Sequence, residues 1–340
     1  MTDFGKWRDP AFVPDLKVVM VDPHDLDRTR GTLEGVTKVS LTEGYYSDTR
    51  ISGSITTIDD NYAYGSWLRV IVDGKEVGTF GVSHIDASQD GEKTYELQSV
   101  LWMLSGDIAY ELYTIGKGCK LATAVTQVCK RAGMTAVFSK GYINKKYTSS
   151  KLYEQTDSRL SILNDICNSA GNQLGVDGHG RVTVQRYVTP SQRTVSWVLD
   201  PDDPRGIILD PGYEETDETG DASNRTVVIA DAQSGKKRIC QYVDPPTSSP
   251  VSFNKRGWRK TAVHVVTELS PWTAARAKAM ARQYLADDSS RGITRDISTM
   301  YFPCKSGQIV TWGKSSKKYM IQTVDSDLEE WTCKITLKEV

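Results

Sequence analysis

The chain has 340 residues, 39% of them apolar, with 42 basic against 43 acidic side chains and a formal charge of −1. A single core seldom grows past about 250–300 residues, so two or three domains are expected. The charge balance excludes a global attraction to nucleic acid or to an anionic membrane, and the longest apolar runs fall far short of the ~20 residues a spanning helix needs.

Residues 1–12 (MTDFGKWRDPAF) show no basic stretch leading into an apolar one, so neither a signal peptide nor a membrane anchor is expected. Residues 16–100 read as β. An apolar run at 16–21 makes a first strand, and 36–42 alternates with Val and Leu on one face. A further strand is expected at 50–56. Residues 67–72 and 75–80 flank Asp73-Gly74, the strongest short hairpin signal in the chain. Residues 82–85 and 93–100 form a second pair turning at Gln89-Asp90-Gly91. Frequent turns between short strands point to a barrel or sandwich.

Residues 101–113 read as a helix or turn, and Ile115-Gly116-Lys117-Gly118 as a hinge into an α/β segment. That segment repeats one plan twice: a short amphipathic helix, an Ala-Gly stop, then a strand. Leu121, Val125, Val128 and Ala132 share one helical stripe, and Leu160, Leu163, Cys167 and Ala170 another. Gly133 and Gly171 stand where a left-handed cap belongs. Residues 175–182 (GVDGHGRV) read as strand, tight turn, strand. After Pro190 the chain returns to β, with its best strand at 224–230, a turn at Ser234-Gly235, a strand at 236–243 and a loop at 245–250. Ser270-Pro271 is an N-cap followed by proline at the first helical position, opening a helix near 271–287. Strands at 293–300, 308–312, 319–324 and 331–337 close the chain. The expectation is an α+β fold: a first β-barrel domain at 1–100, an α/β insert at 101–190, and a second β-barrel domain at 191–340.

The chemistry of an enzyme is hard to find in these residues. His24, His84, His179 and His264 stand far apart, each reading as a solvated or core histidine. Cys119, Cys129, Cys167, Cys240, Cys304 and Cys333 form no CxxC pair and read as reduced thiols. Gly116-Lys117-Gly118 lacks the spacing of a phosphate loop, and no serine sits in a nucleophile elbow. The tract 200–221 (DPDDPRGIILDPGYEETDETGD) alone resembles a metal site: Asp200, Asp202, Asp203 and Asp210 could supply carboxylates to a hard cation. A solvated loop is the simpler reading of it. The basic clusters Lys236-Lys237-Arg238, Lys255-Arg256 with Arg259-Lys260, and Lys314 with Lys317-Lys318 lie near Trp258 and Trp312. They read as an interface rim or a pore lining rather than as a base-stacking platform. Eight tryptophans and sixteen tyrosines suit an assembly protein, since both residues are enriched at interfaces.

Three segments, in order, carry a resemblance. The first holds ISGSITTIDD and LRVIVDGKEVGTFGV, the second is SRLSILNDICNSAGNQLGVDGHGRVTVQRY, and the third runs from SPWTAARAKAMARQYLADDS to SGQIVTWGKSSKKYMIQTVDSDLEEWTCKITLKEV. Together they cover most of the chain. It resembles the hub family of phage tails: baseplate hubs of contractile phages, hubs of defective prophage particles, and the hub part of type VI secretion spikes. The resemblance implies a homotrimer whose two barrels per subunit make a ring of six, joining a six-fold tail tube to a three-fold central spike. It implies tube, spike and other baseplate proteins as partners and a place in the virion tail baseplate, assembled in the bacterial host cytoplasm. It implies no catalytic, cofactor or metal residues and no specific nucleic-acid binding. The sequence stops soon after its closing strands, without a lytic or receptor-binding extension, so a contractile particle with a separate spike is expected. The competing reading is a carbohydrate-binding or cell-wall hydrolase β-protein with its site at 200–221.

Overall fold

The computed structural model describes residues 4–9, 11–58, 65–89, 91–203, 206–210, 212–217, 219–230, 239–266, 272–289, 293–313 and 317–340. The fold is a β-rich α+β arrangement. Its first part contains β1 (Leu16–Asp22), β2 (Asp25–Thr32), β3 (Val36–Gly44), β4 (Ile51–Thr57), β5 (Trp67–Val72), β6 (Lys75–Ala87) and β7 (Lys93–Gln98). β1 is buried over its last five residues, as an apolar run between two neighbours must be, and it pairs with both β2 and β5. The hairpin at Asp73-Gly74 has positive φ at both residues, 52° and 71°, the geometry that matches strand twist. β6 is one 13-residue strand where the sequence reads as two. Irregularities opposite Val70/Ile71 and at Val82/His84 let it leave β5 and continue on β7. A similar slip between Val36 and Lys38 sets Val36 out of step with buried Val39 and Leu41.

The middle part holds α1 (Val100–Gly106), β8 (Tyr113–Ile115), α2 (Leu121–Arg131), β9 (Ala136–Phe138), β10 (Lys151–Tyr153), α3 (Arg159–Ala170), β11 (Asn172–Val176) and β12 (Val182–Arg186). Gly133 and Gly171 follow their helices at φ 74° and 81°, as the spacing requires. The Ser158 hydroxyl caps α3 by accepting from the Ser161 N–H at 3.1 Å. The apolar faces of α1, α2 and α3 meet in one core with Leu174, Val182 and Val184. Residues 116–118 are not a hinge between domains. They form a turn inside this unit, where the Gly118 N–H donates to the Tyr147 carbonyl at 2.7 Å.

The last part holds β13 (Val195–Leu199), β14 (Glu214–Asp217), β15 (Arg225–Ala230), β16 (Ile239–Val243), α4 (Phe253–Arg256), β17 (Thr261–Val266), α5 (Ala274–Asp288), β18 (Ile293–Met300), β19 (Ile309–Trp312), β20 (Lys318–Asp327) and β21 (Thr332–Glu339). The expected caps of α5, Ser270 and Pro271, and the expected turns at Asp90 and at Ser234-Gly235, lie outside the described residues. β20 pairs antiparallel with β3, Thr323 opposite Gly44 through Asp327 opposite Ser40. That ladder joins the first and last β regions into one 13-stranded sheet among the described residues. Its core is shared, with Val39, Leu41, Phe80 and Leu97 from one side and Leu199, Ile321, Ile335 and Leu337 from the other. The N-terminal segment closes it: Phe4 stacks on Trp197 at 5.1 Å and meets Phe302 edge-on. A smaller core stands apart, where Ala277 and Ala281 of α5 pack on Val228 and Ala230 of the sheet β16-β15-β17.

Candidate functional site

Besides the packing of Met103 and Trp67 near Gly81, two polar joints connect the insert to the β layer. The tip of the β11–β12 hairpin lies against β6 so closely that a Cβ on Gly178 would stand 2.6 Å from the Glu76 carbonyl oxygen. The Thr79 hydroxyl donates to the Gly178 carbonyl at 2.7 Å. Buried Arg69 organises the far side, donating to Thr79 Oγ1 at 2.9 Å, to Glu76 Oε1 at 3.1 Å and to the Leu26 carbonyl at 2.6 Å. His179 adds an Nε2–Glu76 Oε2 approach of 2.9 Å. At the second place the Tyr45 ring lies between the Arg50 and Arg193 guanidiniums, 5.2 and 4.8 Å from its centroid. Its hydroxyl donates to Gln173 Oε1 at 3.2 Å and accepts from Arg193. Both joints tie the insert to the sheet.

The acidic tract does not converge. The Asp200, Asp210 and Asp217 carboxylates accept from the backbone N–H two residues ahead, at 3.1, 2.9 and 2.8 Å, so they shape turns. Asp203 pairs with Arg8 at 3.5 Å, Glu215 with Arg295 at 2.8 Å and Asp221 with Lys260 at 2.9 Å. Residues 214–217, read as loop, form an exposed edge strand on β18. Among the described residues no three His, Cys, Asp or Glu side chains stand close enough to share a metal ion.

The histidines remain apart. The His24 N–H donates to Asp22, exposed His84 reaches Asp86 at 3.1 Å, and His264 lies 2.9 Å from Asp288 while stacking on Tyr284 at 4.2 Å. His264 lines a cleft of about 480 Å³ between α3 and the β17–α5 unit, together with Asn168, Ser169 and Met280. Beside α3 lies a polar cluster with no sequence signature. Lys151, nearly fully buried, is ion-paired with Asp165, whose Oδ2 also accepts from the Tyr153 hydroxyl at 2.7 Å. Burial lowers the Lys151 pKa against the pull of that carboxylate. Such a pair serves structure, since either partner left alone would be a buried charge. Cys129 and Cys167 lie in the insert core, and burial alone pushes the Cys129 thiol up to about 12, so it stays protonated and inert.

Among the large apolar side chains that reach solvent, three groups stand out. In the segment 108–112 leading into β8, and at Leu152 on β10, Ile108, Tyr110, Leu112 and Leu152 are exposed while Ala109, Tyr113 and Ile115 are buried. On the sheet β16-β15-β17, α5 covers one face and leaves Tyr242, Val263 and Val265 open on the other. Next to it, three arginines stack on three aromatic rings: Arg225 on Tyr242 at 4.2 Å, Arg256 on Trp258 at 3.8 Å and Arg259 on Phe253 at 4.6 Å. Asp244 ties two of them together, accepting from Arg225 at 2.7 and 2.8 Å and from Arg259 at 3.1 Å. The Arg225 hydrogen bonds hold its carboxyl below the ordinary aspartate value. Of the other basic clusters, Lys317 pairs with Glu339, Lys318 reaches the Arg193 carbonyl, and Trp312 is buried. Lys236, Lys237, Arg238 and Lys314 lie outside the described residues. Trp7, Trp197 and Trp272 are buried too, so part of the aromatic content builds cores rather than surfaces.

No family model matches this chain, and no curated protein matches it in sequence. Solved structures do. A tail protein from Neisseria meningitidis MC58 superposes with a TM-score of 0.69 at 14% identity, over 96% of this chain and 97% of its own. The 43 kDa tail protein of prophage MuSo2 from Shewanella oneidensis gives 0.64 at 13% identity, over 95% and 98%. The prophage tail protein gp18 from Listeria monocytogenes EGD-e gives 0.61 at 10% identity, over 95% and 94%. This chain shares the fold of these bacterial and prophage tail proteins.

Proposed function

We propose that the protein is a structural hub of a phage tail or a tail-like contractile particle, a homotrimer joining the six-fold tail tube to the three-fold central spike. The observation that carries this reading is the likeness to the Neisseria tail protein, which spans nearly the whole of both chains. A fold hosts many functions, so the reading leans also on how the surface is built. Exposed aromatic and aliphatic side chains mark assembly surfaces, and the carboxylates of the acidic tract are spread over turns and ion pairs instead of facing one bond. In this reading residues 1–100 and 191–340 are two hub barrels joined along β3 and β20, and 101–190 is an insert clamped at Gly178 and Tyr45. Tube, spike and other baseplate proteins are the partners, the virion baseplate is the destination after assembly in the host cytoplasm, and the role is mechanical rather than catalytic. Light scattering on the purified chain tests it. A stable mass three times the 37.8 kDa of one chain is expected; a monomer that binds or cleaves a glycan would replace the hub with the carbohydrate reading.

A further inference from the structure

Within that trimer reading, on which this inference rests, we infer that copies join head to tail: the arginine–aromatic surface around Asp244 of one copy seats on the exposed carboxylates Asp202, Asp210, Glu214 and Asp217 of the next. A closed ring of three needs a heterologous contact, two different surfaces that fit each other. This chain, with an overall charge of only −1, carries such a pair. Residues 239–266 hold Lys255, Arg256, Arg259 and Lys260 against the single acid Asp244. Residues 200–221 hold nine acidic side chains against the single base Arg205.

The basic surface is built for contact. Tyr242, Phe253 and Trp258 are 56%, 43% and 46% exposed, and each has a guanidinium stacked on it. Asp244 fixes Arg225 and Arg259, while Arg256 donates to the carbonyls of Gly220 and Ala222. The stacked groups are therefore ordered before a partner arrives, which spares the entropy of ordering them. Tyr, Trp and Arg are also the residues in which binding energy concentrates. On the acidic side, Asp202, Asp210, Glu214 and Asp217 are exposed, and Glu214 and Asp217 sit on an edge strand whose charges discourage simple strand addition. Within one copy Asp221, beyond that acidic surface, pairs with Lys260, while Asp203 and Glu215 are drawn to Arg8 and Arg295 elsewhere. A polyanionic nucleic acid fits the basic surface less well than a folded protein does, because Asp244 and Asp221 stand inside it.

The test measures the mass of the full chain by light scattering across a dilution series at low and high salt. Wild type should dissociate more readily at high salt. Lys255→Glu/Arg256→Glu and Asp210→Arg/Glu214→Arg should each weaken the trimer by about tenfold or more, and a chain carrying all four changes should regain it. Circular dichroism confirms that each variant is folded, and the salt series on wild type needs no variant at all. Folded reversal variants with unchanged trimers, a salt-indifferent wild type, or no rescue in the fourfold variant would overturn this pairing of surfaces and leave the trimer, joined through another pair, standing. A monomeric wild type would remove the trimer itself. Tight binding of a labelled oligonucleotide, lost in Lys255→Glu/Arg256→Glu, would assign the surface to nucleic acid instead.

Discussion

Gly74 and Gly178 are both turn residues, yet they fail for different reasons when a side chain is added. Gly74 has φ 71° with open space around it, so only its backbone conformation resists substitution. Gly74→Val should lower stability by about 1–3 kcal/mol, read as a drop in the thermal midpoint, while Gly74→Asn should lose much less because Asn tolerates that region. Gly178 faces the opposite problem, with the Glu76 backbone in the way. Gly178→Ala should loosen the insert, seen as faster proteolysis between the insert and the sheet with the insert core intact. Asp244 gives a titration. Its folded pKa is depressed, first by the Arg225 hydrogen bonds, so its contribution is present above the unfolded value near 4 and is lost as pH falls through the lowered folded value. The stability gap between wild type and Asp244→Asn should therefore be open at pH 7 and close in acid; a gap independent of pH would show that the carboxylate charge does not matter there.

At the scale of elements, local pattern was legible and long-range pairing was not. The helices at 121–131 and 159–170 and the hairpin at Asp73-Gly74 announce themselves through periodicity and turn residues. β2 (DLDRTRGT) escapes because it is charged and mostly exposed, so it has no apolar face to alternate. β14 hides in the acidic tract for the same reason. The bend in β6 leaves only small traces, since Gly78 and Gly81 read equally well as turn residues. The β3–β20 ladder joins positions almost 300 residues apart and marks neither strand locally. Nor does α5 reveal from its own sequence which sheet its Ala277–Ala281 stripe will cover. The exposed surfaces were half legible: the basic pairs around Trp258 stand out, but Asp244 as their common anchor does not. Ser326 tests the ladder, because it lies opposite Leu41 on one side and Cys333 on the other. Ser326→Pro removes an N–H from an interior strand and should cost roughly 3 kcal/mol. Hydrogen exchange should then show β3 amides losing protection together with those of β20; loss confined to β20 would mean that the two regions are not coupled.

For the whole molecule, the shared core changes what a truncation does. Removing residues 307–340 deletes β19, β20 and β21, and with them Val310, Trp312, Tyr319, Ile321, Val324, Ile335 and Leu337 from the large core. Losing even one such buried aliphatic side chain costs on the order of 2–5 kcal/mol, against a total stability of roughly 5–15 kcal/mol for a domain. The damage cannot stay in the last third of the chain. β3 would become an open edge, and Val39 and Leu41 would lose neighbours across the sheet. The insert packs around a core of its own, so it should survive as a folded remnant while both β regions unravel. On the hub reading, the expected outcome is a truncated protein with native insert resistance to protease, no trimer by light scattering, and no incorporation into particles. A truncated chain that still trimerises would show that the copy-to-copy contact does not need the large core, and that it rests on the β15–β17 unit with its own core or on the insert, whose exposed Ile108, Tyr110, Leu112 and Leu152 would be the next surface to mutate.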